Sequence, residues 1–225
     1  MTRQAEVMDT VAALVVRPAW RGVIHRWSVP VAVTLMTIVA VRAPTGGMRA
    51  ALIVYGIGIV GMLAVSGVYH LPYASARLRG ALRRVDHSTI LLAIAGTYTG
   101  VIVVGLDGAT RVVLLTVAWV IAGTGVAIRM LWMHAPSGLV AAVYLAAGWM
   151  LLLHPTAYLG ALDGTELALL GAGGVLYTAG AVVYALRRPD PWPSTFGYHE
   201  VFHTLVVLAA LSHWASIFHL VTRTG

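Results

Sequence analysis

Three short fragments carry side chains that can do chemistry: Ser66-Gly67-Val68-Tyr69-His70, Arg84-Val85-Asp86-His87 and His199-Glu200-Val201-Phe202-His203. Each sits at the end of a long apolar run. Ionisable side chains are expensive near hydrocarbon, and their presence there marks function by default. Ser66 and His70, like His199 and His203, are spaced i and i+4, which puts each pair on one helix face. His70, His199 and His203 can give three imidazole ligands to one ion and leave a fourth position for water, as in catalytic zinc sites. Asp86 can be a fourth ligand or, the preferred reading, the general base that holds and deprotonates that water. Ser66 can hydrogen-bond the water or a reacting carbonyl oxygen. Glu200 lies about 100° around the helix from His199 and is a weaker candidate, a partner to a ligand rather than a ligand.

Taken singly, these residues have plainer readings. An HxxxH pair alone is weak evidence for a metal. Ser66 reads as a helix serine bonded to a backbone carbonyl, His70 as an interfacial residue, and Asp86 as the N-cap of the helix it precedes. Only the combination raises the metal reading above these.

The elements that must position the fragments follow from composition. The chain has 225 residues, is 59% hydrophobic and only 10% charged, with a mean hydropathy of +0.84. A soluble domain carries roughly 25% charged residues, so this chain reads as an all-α, polytopic membrane protein. Its length suits one compact bundle. Cysteine is absent, which removes disulfides, thiolate catalysis and cysteine-based metal sites. Lysine is absent too, so all 15 basic residues are Arg; with the Ala, Val and Gly richness this suggests a bacterial chain. The pI near 10.2 does not indicate nucleic acid, because the Arg residues flank apolar helices, where they orient the chain and meet anionic headgroups. Val11 to Val16 is too short, and its flanks are wrong, for a cleavable signal peptide.

Seven spans are expected, at about 20 residues each: Trp27–Val41, Ala50–His70, Asp86–Gly105, Arg111–Leu131, Gly138–Leu153, Leu167–Leu186 and Tyr198–Leu220. Residues 1–26 form an N-terminal cytoplasmic segment and 27–225 the seven-helix domain. Arg3, Arg17, Arg21, Arg26, Arg77, Arg79, Arg83, Arg84, Arg129, Arg187 and Arg188 fall on the N-terminal side; only Arg42, Arg49, Arg111 and Arg223 fall opposite. The positive-inside rule then places the N-terminus in the cytoplasm and the C-terminus outside. On that weave His70, Asp86, His199 and His203 all lie at the cytoplasmic end. Because the weave is counted from Arg, their shared depth is partly independent support for one site.

The order SxxxH, RxDH, HxxxH resembles the haemolysin III family, the bacterial branch of the progestin and adiponectin receptor superfamily, itself similar to alkaline ceramidases. Ala95-Gly96-Thr97-Tyr98-Thr99 and Gly197-Tyr198-His199-Glu200-Val201-Phe202-His203 also match. The resemblance runs from about Ile24 to the C-terminus. It implies a seven-helix fold with Zn2+ near the cytoplasmic face, ligands His70, His199 and His203, and Asp86 and Ser66 around the water. Gly100 follows Thr99 where many relatives carry Pro, a departure that bears on the third helix and not on the metal. Of the other histidines, His213 is expected to bond another helix, His87 to be a loop or supporting residue, and His25, His134, His154 and His219 to be interfacial. Gly96/Gly100 and Gly171, Gly174 and Gly180 read as helix-packing faces.

Three functions compete. The first is zinc-dependent hydrolysis of a membrane lipid amide or ester in the bacterial plasma membrane. The second is a non-enzymatic sensor of membrane state with structural zinc. The third is a pore-forming, haemolytic activity, disfavoured because the helices apart from the seventh span are apolar almost all round. Substrate and oligomeric state are not legible.

Overall fold

Residues 18–71, 76–132 and 137–225 are described by the computed structural model. Among them eight α-helices are found and no strand: α1 (Val23–Arg42), α2 (Gly46–Tyr69), α3 (Ala76–Gly105), α4 (Gly108–Leu131), α5 (Ser137–Gly148), α6 (Pro155–Ala161), α7 (Gly164–Leu186) and α8 (Tyr198–Thr224). Six of these are long and apolar enough to cross a membrane. The chain is an all-helical, multi-pass membrane protein.

Two of the expected spans differ. The third does not begin at Asp86. It starts at Ala76 and runs 30 residues, so Asp86 is inside the helix and is no N-cap. Ala, Leu and Arg are strong helix formers, and Ala76–Arg84 is made largely of them, so these polar first turns join the apolar span without a stop. The fifth span, expected as Gly138–Leu153, is a 12-residue helix followed by a 3-10 turn over Met150–Leu153. The cause is Tyr98 of α3. Its hydroxyl donates to the Gly148 carbonyl at 2.6 Å and accepts from the Leu151 N–H at 3.0 Å. A side chain inserted into the backbone ladder breaks a helix and satisfies the groups it frees. Pro155 then restarts helix α6 at a position where its missing N–H costs nothing. Tyr98→Phe strands that carbonyl and N–H, and is expected to lower stability by about 1–3 kcal/mol, read as a lower unfolding temperature in detergent.

The stretch from α5 to α6 follows α3 lengthwise. Tyr144 donates to the His87 carbonyl at 3.0 Å, Tyr98 holds Gly148, and Leu162 packs on Gly105. His87 to Gly105 spans about 27 Å of helix.

Close approach builds the core. A Cβ on Gly58 would meet the Leu92 carbonyl at 3.0 Å, and one on Gly96 the Val54 carbonyl at 3.2 Å, so α2 and α3 pack backbone to backbone, as small residues allow in membranes. Helix α8 is tied to α7 by Ser212 to the Leu169 carbonyl, Ser216 to the Glu166 carbonyl and His213 to the Leu170 carbonyl. It is tied to α1 by Trp214 to the Leu35 carbonyl. His213 thus makes the expected bond to another helix.

Candidate metal centre

The site lies where the start of α1, the end of α2 and the start of α8 meet. Helix α2 ends at its C-cap His70, one turn after Ser66. Helix α8 begins with its exposed N–H groups satisfied: Gly197 N–H donates to Glu200 Oε2 at 2.9 Å and Tyr198 N–H to Asp190 Oδ1 at 2.8 Å. Glu200 is fully buried, and its other oxygen accepts from Arg21 Nε at 2.7 Å. Ala19 and Trp20 donate to the carbonyls of Ser194 and Thr195 just before α8. Glu200 therefore serves the cap and the tether of the N-terminal segment, not the imidazoles. Gly22 closes the corner. Its φ is +74°, and a Cβ there would sit 2.5 Å from that of His70, so only glycine gives both the backbone turn and the clearance.

His70, His199 and His203 come together. Their ligand nitrogens lie within 4.8 Å of one another, and the Nε2 atoms of His70 and His199 are 3.1 Å apart. Tetrahedral bonds of 2.0–2.1 Å would separate two ligand nitrogens by about 3.3 Å. His70 and His203 are buried and His199 half-buried. His203 Nδ1 is buried without a partner. Three converging imidazole nitrogens suit a borderline divalent ion. The residues present fit a metal.

Asp86 is not in that cluster. Its carboxylate meets the Ser66 hydroxyl, which joins it to the turn that carries His70. His87 turns away and bonds the Arg83 carbonyl of its own helix at 2.7 Å. His154 meets Thr156, and His134 lies outside the described residues.

His25, expected at the interface, is instead 3% exposed. Its ring stacks on His203, centroids 3.8 Å apart and planes 6° from parallel. Among the described residues no hydrogen bond of good geometry reaches either His25 nitrogen. Tyr184 of α7 also packs on His199, at 5.5 Å. Neither residue carries a spacing signal in the sequence. His25→Ala removes the ring that braces His203 and is expected to weaken metal binding about 10-fold or more, as loss of a ligand's support does. His25→Phe keeps the stacking face and should bind nearly as wild type in a chelator competition. A loss in Phe equal to that in Ala would assign the effect to the ring nitrogens.

A second polar cluster closes the opposite end. Fully buried Glu166 accepts from Arg223 Nε and Nη2, both at 2.9 Å, and meets His219 Nδ1 at 3.1 Å. Asp163 and Glu166 form a reciprocal capping box on α7. The Glu166 N–H, first of all, holds the Asp163 carboxyl below its usual range. Although Asp163, Glu166 and His219 are close enough to share an ion, the Arg223 guanidinium already takes both Glu166 oxygens. The cluster is a clamp between α7 and α8.

Residues 14–214 match the family model described as haemolysin-III related. The chain belongs to the haemolysin III family. It is 27% identical over 180 residues to Hemolysin-3 of Bacillus cereus, covering 80% of this chain and 78% of that one. It is also 27% identical over 154 residues to the Hemolysin-3 homolog of Bacillus subtilis strain 168, covering 68% and 69%. A shorter stretch of 49 residues is 45% identical to the adiponectin receptor protein of Drosophila melanogaster, covering 20% of this chain and 11% of that one. The haemolysin III membership and the distant receptor match agree with the superfamily to which the three motifs point.

Proposed function

We propose that the chain is a hydrolase of membrane lipid amides or esters in the bacterial plasma membrane, with zinc held by His70, His199 and His203. The observation that carries this reading is the convergence of three imidazoles from distant sequence beside the Ser66–Asp86 pair. When bound, a zinc ion supplies Lewis acidity for a carbonyl oxygen and acidifies water. Asp86 orients the attacking water and accepts its proton, then delivers a proton to the leaving amine or alcohol oxygen as the C–N or C–O bond breaks. Ser66, bonded to Asp86, fixes the carboxylate in place. The products are a fatty acid and an amine or alcohol.

The weave that puts this site at the cytoplasmic face has seven crossings, with residues 1–26 inside, the bundle in 27–225 and the C-terminus outside. The Arg distribution supports it, as does the course of the α5–α6 stretch along α3 from His87 to Gly105. Metal-loaded protein incubated with lipid amides and esters should release fatty acid, detected by mass spectrometry. No release from any of them by protein with a full complement of metal would sink the hydrolase reading.

A sensor with structural metal is the second reading, favoured by the way the cluster fastens the starts of α1 and α8 to the end of α2. A lytic role of the kind the Bacillus cereus relative's name denotes is disfavoured by the apolar outer faces of the helices. Dye release from protein-containing vesicles tests it.

A further inference from the structure

Residues 18–22 cross over the three imidazoles before α1 begins. Ala19 and Trp20 donate to the Ser194 and Thr195 carbonyls, both at 3.1 Å, and the Trp20 ring meets Phe196 at 6.3 Å. Arg21 reaches Glu200 at 2.7 Å, where the carboxylate has no exposed surface. The same guanidinium stands close to His199 and His203. At the corner Gly22 lies against His70. Under this cover His70 is only 8% exposed and His203 2%. The other walls of the cluster are rings on helices: His25 against His203, and Tyr184 and Phe202 against His199. Residues 18–22 are the part of the enclosure that no helix holds.

The cover is built to move. Ala19, Trp20, Ser194 and Thr195 are all exposed, and exposed backbone bonds open at low cost. Gly22, in the left-handed region at the join to α1, can take backbone angles closed to other residues; hinges are commonly a few residues at the end of an element. Of the fastenings, only the Arg21–Glu200 pair has a buried partner. Lifting Arg21 away strands a buried carboxylate, so this pair dominates the closed state.

We propose that residues 18–22 are a hinged strap that gates the metal centre, with Arg21–Glu200 as its latch. An ion enters or leaves from the aqueous side when the strap lifts. The gate presupposes the metal reading of the three imidazoles. It controls occupancy of the centre and adds no ligand to it.

Two measurements on the full chain in detergent test the strap. The first is the rate at which EDTA removes zinc from loaded protein. Arg21→Gln should lose zinc about tenfold or more faster than wild type, since the latch is a charge-assisted bond to a buried carboxylate. The chain has no cysteine, so Ala19→Cys with Ser194→Cys can be joined by a short bismaleimide. Joining should slow the loss, and should restore slow loss in Arg21→Gln, which a general drop in stability would not allow. The second is modification of metal-free protein by diethyl pyrocarbonate, which needs an accessible imidazole. Arg21→Gln should speed modification of His70 and His199, joining should slow it, and exposed His154 should react alike throughout. Rates in Arg21→Gln equal to wild type, or rates unmoved by joining, would overturn the strap. Should Arg21→Gln not fold, the joined protein carries both measurements alone. Wild type that takes up no zinc yet shows the labelling pattern refutes the metal reading and leaves the strap standing. Zinc bound and lost at one rate in every variant refutes the strap and leaves the metal.

Discussion

Replacing His199 and His203 together by Ala should strip the metal from the folded protein. Elemental mass spectrometry is expected to find about one zinc per wild-type chain, as a three-imidazole site predicts, and close to none in the variant. The loss should be complete rather than graded, because His70 alone cannot hold an ion that needs three nitrogens within 4.8 Å of one another. Since the three imidazoles come from the end of α2 and the start of α8, an ion held there would also fasten two distant stretches. Chelation of wild type should therefore lower its unfolding temperature. A ligand at 100 times its Kd stabilises by about 2.7 kcal/mol. The variant should start from the lower value and ignore the chelator. Metal retained at the wild-type level would remove the three imidazoles from the centre and return them to helix packing.

Asp86→Asn should abolish turnover while leaving the metal in place. Asn has the shape of Asp and can still accept the Ser66 hydroxyl bond, so the pair survives in form. It cannot take a proton, and loss of a positioned general base costs about 10²- to 10⁴-fold in rate. Because Asp86 stands outside the three-imidazole cluster, metal content should be unchanged. That split between rate and occupancy separates the two readings of the site. A sensor with structural metal tolerates Asp86→Asn, and its His variants lose stability instead. Turnover that persists in Asp86→Asn would exclude the acid–base role.

How much was legible can be traced residue by residue. The pairs Ser66/His70 and His199/His203 needed only the helical period, a local property of the chain. The depth of His70, Asp86 and the HxxxH pair followed from where apolar runs end and Arg residues gather. The start of α3 is not legible from hydropathy, which marks where a helix enters hydrocarbon and not where it begins. Ala76–Arg84 is polar yet strongly helical, so Asp86 sits in mid-helix with its carboxylate free to face α2. The broken fifth span was not legible because its cause, Tyr98, is fifty residues away in sequence and acts through one hydroxyl. His25 was assigned to the interface for the same reason. An isolated histidine near a helix start looks interfacial until α8 brings His203 against it.

By itself, then, the sequence determined that the chain is helical and membrane-embedded, that any metal must be held by nitrogen and oxygen ligands, and which three histidines share a depth. These follow from composition, from a period of 3.6 residues and from the cost of ionisable groups in hydrocarbon, all of which are written locally. The tertiary structure alone decided that His25 stacks on His203, that Asp86 meets Ser66 and not the imidazoles, that Tyr98 divides the fifth helix, and that Arg129 is buried at the end of α4. Each of those is a contact between helices, set by how glycine-lined faces let particular backbones approach, and no periodicity along one chain encodes which neighbour a side chain will meet.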